Sequence, residues 1–591
     1  MQDHQGNDQK NFIMAMVLSG FVLLGYWFFF GKPLAEKARV DAQKEMARAE
    51  AIEANPPAPI KPRDVVITEG TRIKVDTESL KGSFLTTGTR FDDIQLKNYD
   101  KTLDPSEGKV VLLTPEGADA AAYLTDNWVG VNNAGFGFDT AWSVVSGTTL
   151  TENSPVILQA EVNGIVIERT VSVDDRYLIT LSDKLTNASD GERTIIRKGV
   201  ARQHELPEDL TNFFVIQEGP ISIVDNKYHE WKYKKLAKKG TWTETGEGGW
   251  VGLTDKYWLS AAIAPQGQTI TASYDYRAVN NSDVYENSYS MTPLTLTPGV
   301  TVESVGHLYV GAKDWGVLTA YEEETGIVQM TSAISWGIFK VLVKPINWSL
   351  TKLGDLLGNF GLGILALTFI IKLLMFPLFN KQYASQAKMK KVQPKVKKLQ
   401  TLYKDDRMKM QQEMMALYRK EGVNPAAGCL PIIPTIFVFF SLYKAVFINI
   451  DLRHEPFFGW IKDLSSKDPL SILNGFGLFP WDGAPGPIPE LLALGPLALL
   501  YGITMALIYT LTPQQAGGGE QAEMMGKIMK FMPWIFMFIM APFPAGLLLY
   551  WVWNNILSFG QQYYITRKYK VDTPVDQFWR KITGKPEPES N

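Results

Sequence analysis

Residues 357–378 read LGNFGLGILALTFIIKLLMFPL, an apolar run of membrane-crossing length with Lys372 set inside it. A hydrocarbon core of about 30 Å takes about 20 apolar residues in a helix. An ammonium at its centre costs roughly 3 kcal/mol on insertion scales, so such a charge faces a partner, a cavity or water. Thr368 precedes Lys372 by one helical turn and shares its face, which makes a polar stripe on one side of the span. If the lysine merely snorkelled, it would have to reach the interface marked by Lys381, roughly 13 Å away along a continuous helix, which is far for one side chain. A water-filled cavity explains it better: Lys372 stays charged there and attracts acidic residues of a passing polypeptide.

The two halves of the 591-residue chain have unlike compositions. Residues 34–330 carry 29 Lys and Arg against 43 Asp and Glu and contain no long apolar run, which describes a soluble, acidic domain. From 331 onward, apolar runs of membrane length (427–450, 491–511 and 528–565, the last interrupted by PFPAG at 542–546) alternate with polar loops. This part reads as a polytopic α-helical membrane domain. Near the start, FIMAMVLSGFVLLGYWFFF (12–30) is uncharged and lacks a small-residue cleavage site after it, so residues 1–33 are expected to form an uncleaved anchor. Residues 34–63, with NPPAPIKPR, read as a tether. Within 64–330, segments such as VVITEG, KVVLLT, PVILQAEVNGIVIERTVSV and YLITLSDKL alternate between turn-rich breaks and predict an all-β sandwich. An immunoglobulin sandwich needs only about 100 residues, so an extended or doubled sandwich is expected. Its aromatics and acidic pairs read as core and solvated surface rather than as a ligand cleft. Residues 331–353 place Trp336, Phe339, Leu342, Val343 and Trp348 among Lys340, Lys344 and Lys352, a pattern suited to an amphipathic helix in the headgroup plane.

Residues 380–422 hold 12 Lys and Arg against four acids, which assigns this loop to the cytoplasmic side. Val392, Val396, Leu399 and Tyr403 follow helical spacing, as do Met410, Met414 and Leu417, with Asp405 and Asp406 between the two series. A helical hairpin over 380–424 is expected. Its basic face either docks a ribosome, a targeting receptor or anionic lipid, or simply sets topology. Candidate docking residues are Lys390, Lys391, Lys395, Lys397, Lys398, Arg407, Glu413, Met414 and Tyr418. With the hairpin inside, parity gives six spans, an external 34–330, and cytoplasmic N- and C-termini with a tail at 568–591.

Thr435, Tyr550 and Asn554 are further polar residues in spans and either line the same cavity as Lys372 or join helices to one another. Met414, Met415, Met524, Met525, Met529 and Met532 offer adaptable apolar surface at the cytoplasmic rim, or ordinary packing. Enzyme chemistry finds no support: no GxxxxGK[ST], GxSxG or HExxH occurs, and Cys429 is the single cysteine. No cofactor or metal is expected.

The stretches TFIIKLLMFPL (368–378), QYASQAKMKKVQPK (382–395), QEMMALYRKEGVNPAAGC (412–429), FMPWIFMFIMAPFPAGLLLYW (531–551) and NNILSFGQQYYITR (554–567) resemble the YidC-type membrane protein insertases. GGWVGLTDKYWLSAAIAP (248–265) resembles the periplasmic domain of their Gram-negative members. The resemblance implies a five-helix core over 354–567 with a hydrophilic groove open to the cytoplasm, below a periplasmic β-supersandwich in the inner membrane. It also implies nascent membrane proteins as clients, contact with lipid and with a secretion channel, and insertion without nucleotide hydrolysis. The family's groove cation is typically arginine, at the motif position of Lys372. Thr368 and the Tyr550/Trp551 pair fall on other groove positions, while Thr435 and Phe437 depart from a common Gln and Pro. The competing readings are a transporter or channel with Lys372 as substrate counter-ion, and an envelope-binding module led by the β domain. Against the transporter, no internal repeat or matched pair of broken helices is found.

Overall fold

The computed structural model describes residues 60–131, 135–207, 210, 216–279, 282–403, 406–422, 432–479, 492–512 and 520–584. The expected anchor at 12–30 and most of the tether lie outside these residues.

Alternating apolar residues build the first half. Ile165–Val173 (β2) buries Ile165, Ile167, Val171 and Val173 on one face, the period of two that a half-buried strand requires. It pairs antiparallel with Leu178–Asn187 (β3), which pairs in turn with Thr301–Ala312 (β6), at the centre of a nine-stranded sheet. The facing eleven-stranded sheet is centred on Ala122–Val131 (β1), Arg193–His204 (β4) and Ser282–Met291 (β5), again antiparallel. One continuous apolar core lies between them, so the sandwich is extended rather than doubled.

Charge interrupts that core at one point. Arg169 on β2 occupies an inward position of the alternating strand and is fully buried, with Nε 2.6 Å from Asp183 on β3. In the facing sheet, Arg197 on β4 donates to Asp126 on the neighbouring β1 at 2.8 Å. Trp128 donates to Asp183 at 2.8 Å, and the Tyr289 hydroxyl donates to Asp126. Burial pushes the Asp183 carboxyl up, but the charges and hydrogen bonds of Arg169, with Arg197, outweigh it and hold it below its ordinary value. Buried ions survive when paired and hydrogen-bonded on every side, and removal of one partner is then strongly destabilising.

A helix at Trp315–Thr325 (α1) leads out of the sandwich. The amphipathic helix follows, but at Lys340–Leu357 (α2) instead of 331–353. Trp336 accounts for the shift: it is 5% exposed, stacks edge-on against Trp315 at 5.5 Å and donates from Nε1 to Thr331 O at 2.7 Å, so the chain before Lys340 is drawn into the sandwich core. On α2, Val343 and Leu350 are buried while Val341, Trp348 and Leu356 are exposed, the two-faced pattern of a helix at a membrane surface.

The run at 357–378 is not one helix. Phe360–Leu374 (α3), capped by the Asn359 side chain, stops at Met375, and Phe376–Leu402 (α4) leaves at 68°. Pro377 explains the break, because it lacks the N–H that would reach Leu373 and is well placed only in a first helical turn, where it now sits. Arg407–Lys420 (α5) returns antiparallel along α4, with Asp406 accepting from Lys409 N as its cap. Then come Ile432–Ile448 (α6), Pro496–Leu511 (α7), Glu520–Met540 (α8) and Ala545–Lys568 (α9), the break between the last two falling at PFPAG as expected. Pro574–Thr583 (α10) closes the described chain with a Thr573/Asp576 capping box. Among the described residues no single helix is long and apolar enough to cross a membrane, whereas α3 and α4 pass together as a bent pair.

Glycines bring α2 and α3 into backbone contact: a Cβ on Gly363 would lie 3.0 Å from Gly354 N and 3.2 Å from its Cα. Ile448 and Ile450, at the end of α6, belong to the sandwich core, so the β domain and the helices share packing. Arg453 adds a polar tie, donating to the Asp100 carbonyl at 2.7 Å.

Candidate functional site

The bend at Met375 moves Lys372 from the middle of an expected span to the last turn of α3, where the negative end of the helix dipole favours a cation. The distance reckoned along a continuous helix therefore does not apply. Beside it, α3, the start of α4, α6 and α9 enclose a cavity of about 160 Å³. Thr368 and Lys372 both line it, as one face of α3 requires, and Thr435 lines it from α6. Tyr550 and Asn554 come from α9.

Lys372 Nζ donates to Ser558 Oγ at 2.6 Å, and Ser558 donates in turn to the Asn554 carbonyl at 2.6 Å. The ammonium also lies 4.4 Å from the centroid of the Phe379 ring, a cation–π contact. Among the described residues no carboxylate lines the cavity, so the lysine is held by a hydroxyl and a ring and has no counter-ion there. Gln382 Oε1 is buried and accepts no hydrogen bond, and Thr368 spends its hydroxyl on the Ile364 carbonyl at 2.6 Å. The cavity can therefore present one cation and an unused amide oxygen to a polar group entering it.

Trp551 is placed differently. It does not line the cavity but stacks at 6.1 Å on Phe439, with Tyr501 and Phe543 at 5.7 and 5.4 Å. Consecutive helical residues point about 100° apart, and here Tyr550 faces the cavity while Trp551 faces the aromatic cluster beside it. Ser558, Gln382, Tyr383 and Phe379 were missed. Ser558 had a signal, since it extends the Tyr550–Asn554 series by another four residues. The three α4 residues had none, because only the bend turns them back toward Lys372.

The hairpin forms around Val392 and Val396, which pack against Met414, Leu417 and Tyr418. Met414 and Tyr418, expected to dock a partner, are thus half-buried in the hairpin's own seam. Lys391, Lys397, Lys398 and Glu413 are exposed. Lys395 pairs with Glu421 at 2.6 Å, and Lys390 donates to the Thr510 carbonyl at 3.2 Å, which fastens the hairpin to α7. Burial holds the Lys390 ammonium below its ordinary value, against the opposing pull of Asp572 and Asp576. The side chains of Arg407, Met524, Met525 and Met529 lie outside the described residues. Met532 is half-buried and Met415 exposed.

Residues 352–573 match the 60Kd inner membrane protein family, and residues 72–349 match the YidC periplasmic domain. A relative from Maricaulis maris is 40% identical over 587 residues, covering 97% of this chain and 98% of its own. One from Cereibacter sphaeroides is 40% identical (95% and 93% covered), and one from Caulobacter vibrioides 38% (98% and 99%). All three are named membrane protein insertase YidC. A helical membrane core joined to a β-sandwich in the order of those two family regions, with relatives of that name along nearly its whole length, makes this chain a member of the YidC family of membrane protein insertases, inner-membrane proteins with a periplasmic domain that are not enzymes.

Proposed function

We propose that the Lys372 cavity is the inner end of a client groove open to the cytoplasm, and that the protein inserts single-span and multi-span clients by lending their polar segments a wet path. The observation that carries this is Lys372 itself: a cation in a helical bundle, held by Ser558 and Phe379, with no carboxylate among the described residues lining its cavity. Acidic side chains or a carboxyl terminus of a client supply the missing countercharge. The apolar client segment then leaves sideways into lipid, and its burial drives the reaction without nucleotide hydrolysis.

Helix length supports the same reading. At 1.5 Å per residue, the 15 residues of α3 span only about 22 Å and the 16 of α7 about 24 Å, short of a hydrocarbon core of about 30 Å. Lipid beside such helices thins to match them, which shortens a client's crossing further. In this reading five spans at 360–374, 432–448, 496–511, 530–540 and 545–568 join the N-terminal anchor to make six. Both termini and the α4–α5 hairpin face the cytoplasm, and the exposed lysines of the hairpin dock a ribosome or targeting receptor beside anionic lipid.

Purified full-length protein in liposomes tests this directly. A protease-protected client hairpin is expected, in the absence of nucleotide. Passage of a small solute with no client insertion would indicate a transporter or channel instead.

A further inference from the structure

A second cavity, of about 420 Å³, lies where the β domain meets the membrane core, between α1, α2 and the loop after α6. Asn347 of α2 lines it and is 6% exposed, yet its Oδ1 accepts no hydrogen bond. Asp451 lines it as well, accepting from Thr351 Oγ1 at 2.7 Å. Asp314 is on the same lining. Its neighbour Lys313 does not neutralise these groups, because its ammonium donates into the sandwich, to Thr254 Oγ1 at 2.9 Å and to the Asp255 carbonyl. Burial, with Asp314 and Asp355 adding to it and the Thr351 hydrogen bond opposing, raises the Asp451 carboxyl above its ordinary value, as expected of an anion short of positive partners.

The lining asks for N–H donors that carry positive charge. An organic ammonium supplies both the donors and the charge. The mouth adds a second requirement. Trp348, 55% exposed, belongs both to this cavity and to the outward stripe of α2 that carries Val341 and Leu356, and Lys352 stands one turn beyond it at the rim. Tryptophan favours the headgroup layer, and an exposed apolar stripe there is covered by acyl chains.

We infer that this cavity binds the headgroup of an aminophospholipid of the outer leaflet, with its primary ammonium between Asn347 and Asp451 and its phosphate at Lys352. A primary ammonium has three N–H donors to satisfy an amide oxygen and a carboxylate, whereas a trimethylammonium has none. The bound lipid would bridge α1 of the β domain and α2, so it bears on how the two halves are held together. It depends on α2 lying at the membrane surface and is independent of the Lys372 groove.

Native mass spectrometry of the full-length protein, released from nanodiscs of defined lipid, tests it. Phosphatidylethanolamine is expected to be retained about tenfold over phosphatidylcholine and phosphatidylglycerol of the same chains, the size of one charge-assisted hydrogen bond. Asn347→Leu, which keeps the volume, and Asp451→Asn are each expected to bring the ratio near one while leaving client insertion measurable. Equal retention of the three lipids by the unaltered protein overturns the inference without reference to any variant. So does a preference unchanged in both variants, or binding of soluble phosphoethanolamine or of an amine-bearing peptide in phosphatidylcholine discs as tight as that of the lipid.

Discussion

The Lys372 ammonium donates a 2.6 Å hydrogen bond to the Ser558 hydroxyl, which ties the end of α3 to the middle of α9 across 186 positions of sequence. Ser558 donates its own hydrogen bond to the Asn554 carbonyl, so it positions the lysine without neutralising it. Lys372→Ala is expected to slow insertion of a client with an acidic translocated tail about tenfold, or ~1.4 kcal/mol, and Lys372→Glu to abolish it. Ser558→Ala keeps the charge and is expected to cost less than Lys372→Ala. Protease protection of the client in proteoliposomes measures all three; if both lysine variants insert normally, the cavity does not attract clients by charge.

The hairpin's core is small. Val396 is 1% exposed in the seam between α4 and α5, and a carboxylate placed there has no partner, at a cost of several kcal/mol. Val396→Asp is expected to open the hairpin to limited proteolysis, and deletion of 390–418 to impair insertion while the protein still reaches the membrane. Normal insertion by the deletion variant would remove the docking role.

Close approach of α2 and α3 depends on Gly363, whose added Cβ would press on the Gly354 backbone, an obstacle that no rotamer change relieves. Gly363→Leu is expected to destabilise this packing by about 2 kcal/mol or more and to lower the melting temperature in detergent. Gly560→Ala, inside α9 where a Cβ meets nothing within 4 Å, is the control and should melt no lower than the unaltered protein.

In the sandwich, the His307 ring shares a 3.0 Å hydrogen bond with Thr180, and burial, with Arg197 adding to it, holds its pKa down at about 4. The unfolded ring takes its proton near pH 6.5, so between about pH 6.5 and 4 the unfolded state binds more protons than the folded one. Stability from this residue is therefore complete above pH 6.5 and falls as pH drops toward 4, by up to about 1.4 kcal/mol per unit. His307→Gln is expected to flatten that part of the melting-temperature curve. An unchanged slope would show that His307 is not the group titrating.

Much of this was legible in the residues. Period-two alternation marked strands such as β2, but nothing local marked the buried pairing of Arg169, whose partners Asp183 and Asp126 lie on two other strands. The PFPAG break and the helix start capped by Asp406 were readable because proline and capping aspartate act within a few residues of themselves. Pro377 was equally visible, but the 68° turn between α3 and α4 depends on what packs against the kink. Tyr550 and Trp551 part for a simpler reason: motif adjacency says nothing about which side of a helix a residue faces.

By itself the sequence determined an acidic β domain, an apolar helical half, a basic hairpin and a lysine needing a reason, since each depends on local hydrophobicity, charge and period. Only the tertiary structure decided that Lys372 meets Ser558 and Phe379 and that Trp551 turns away. It alone decided, too, that an orphan Asn347 oxygen lines the same cavity as Asp451 at the join of the two halves. Those are relations between helices distant in sequence, set by a 68° bend and by shared packing, and no period within one helix encodes them.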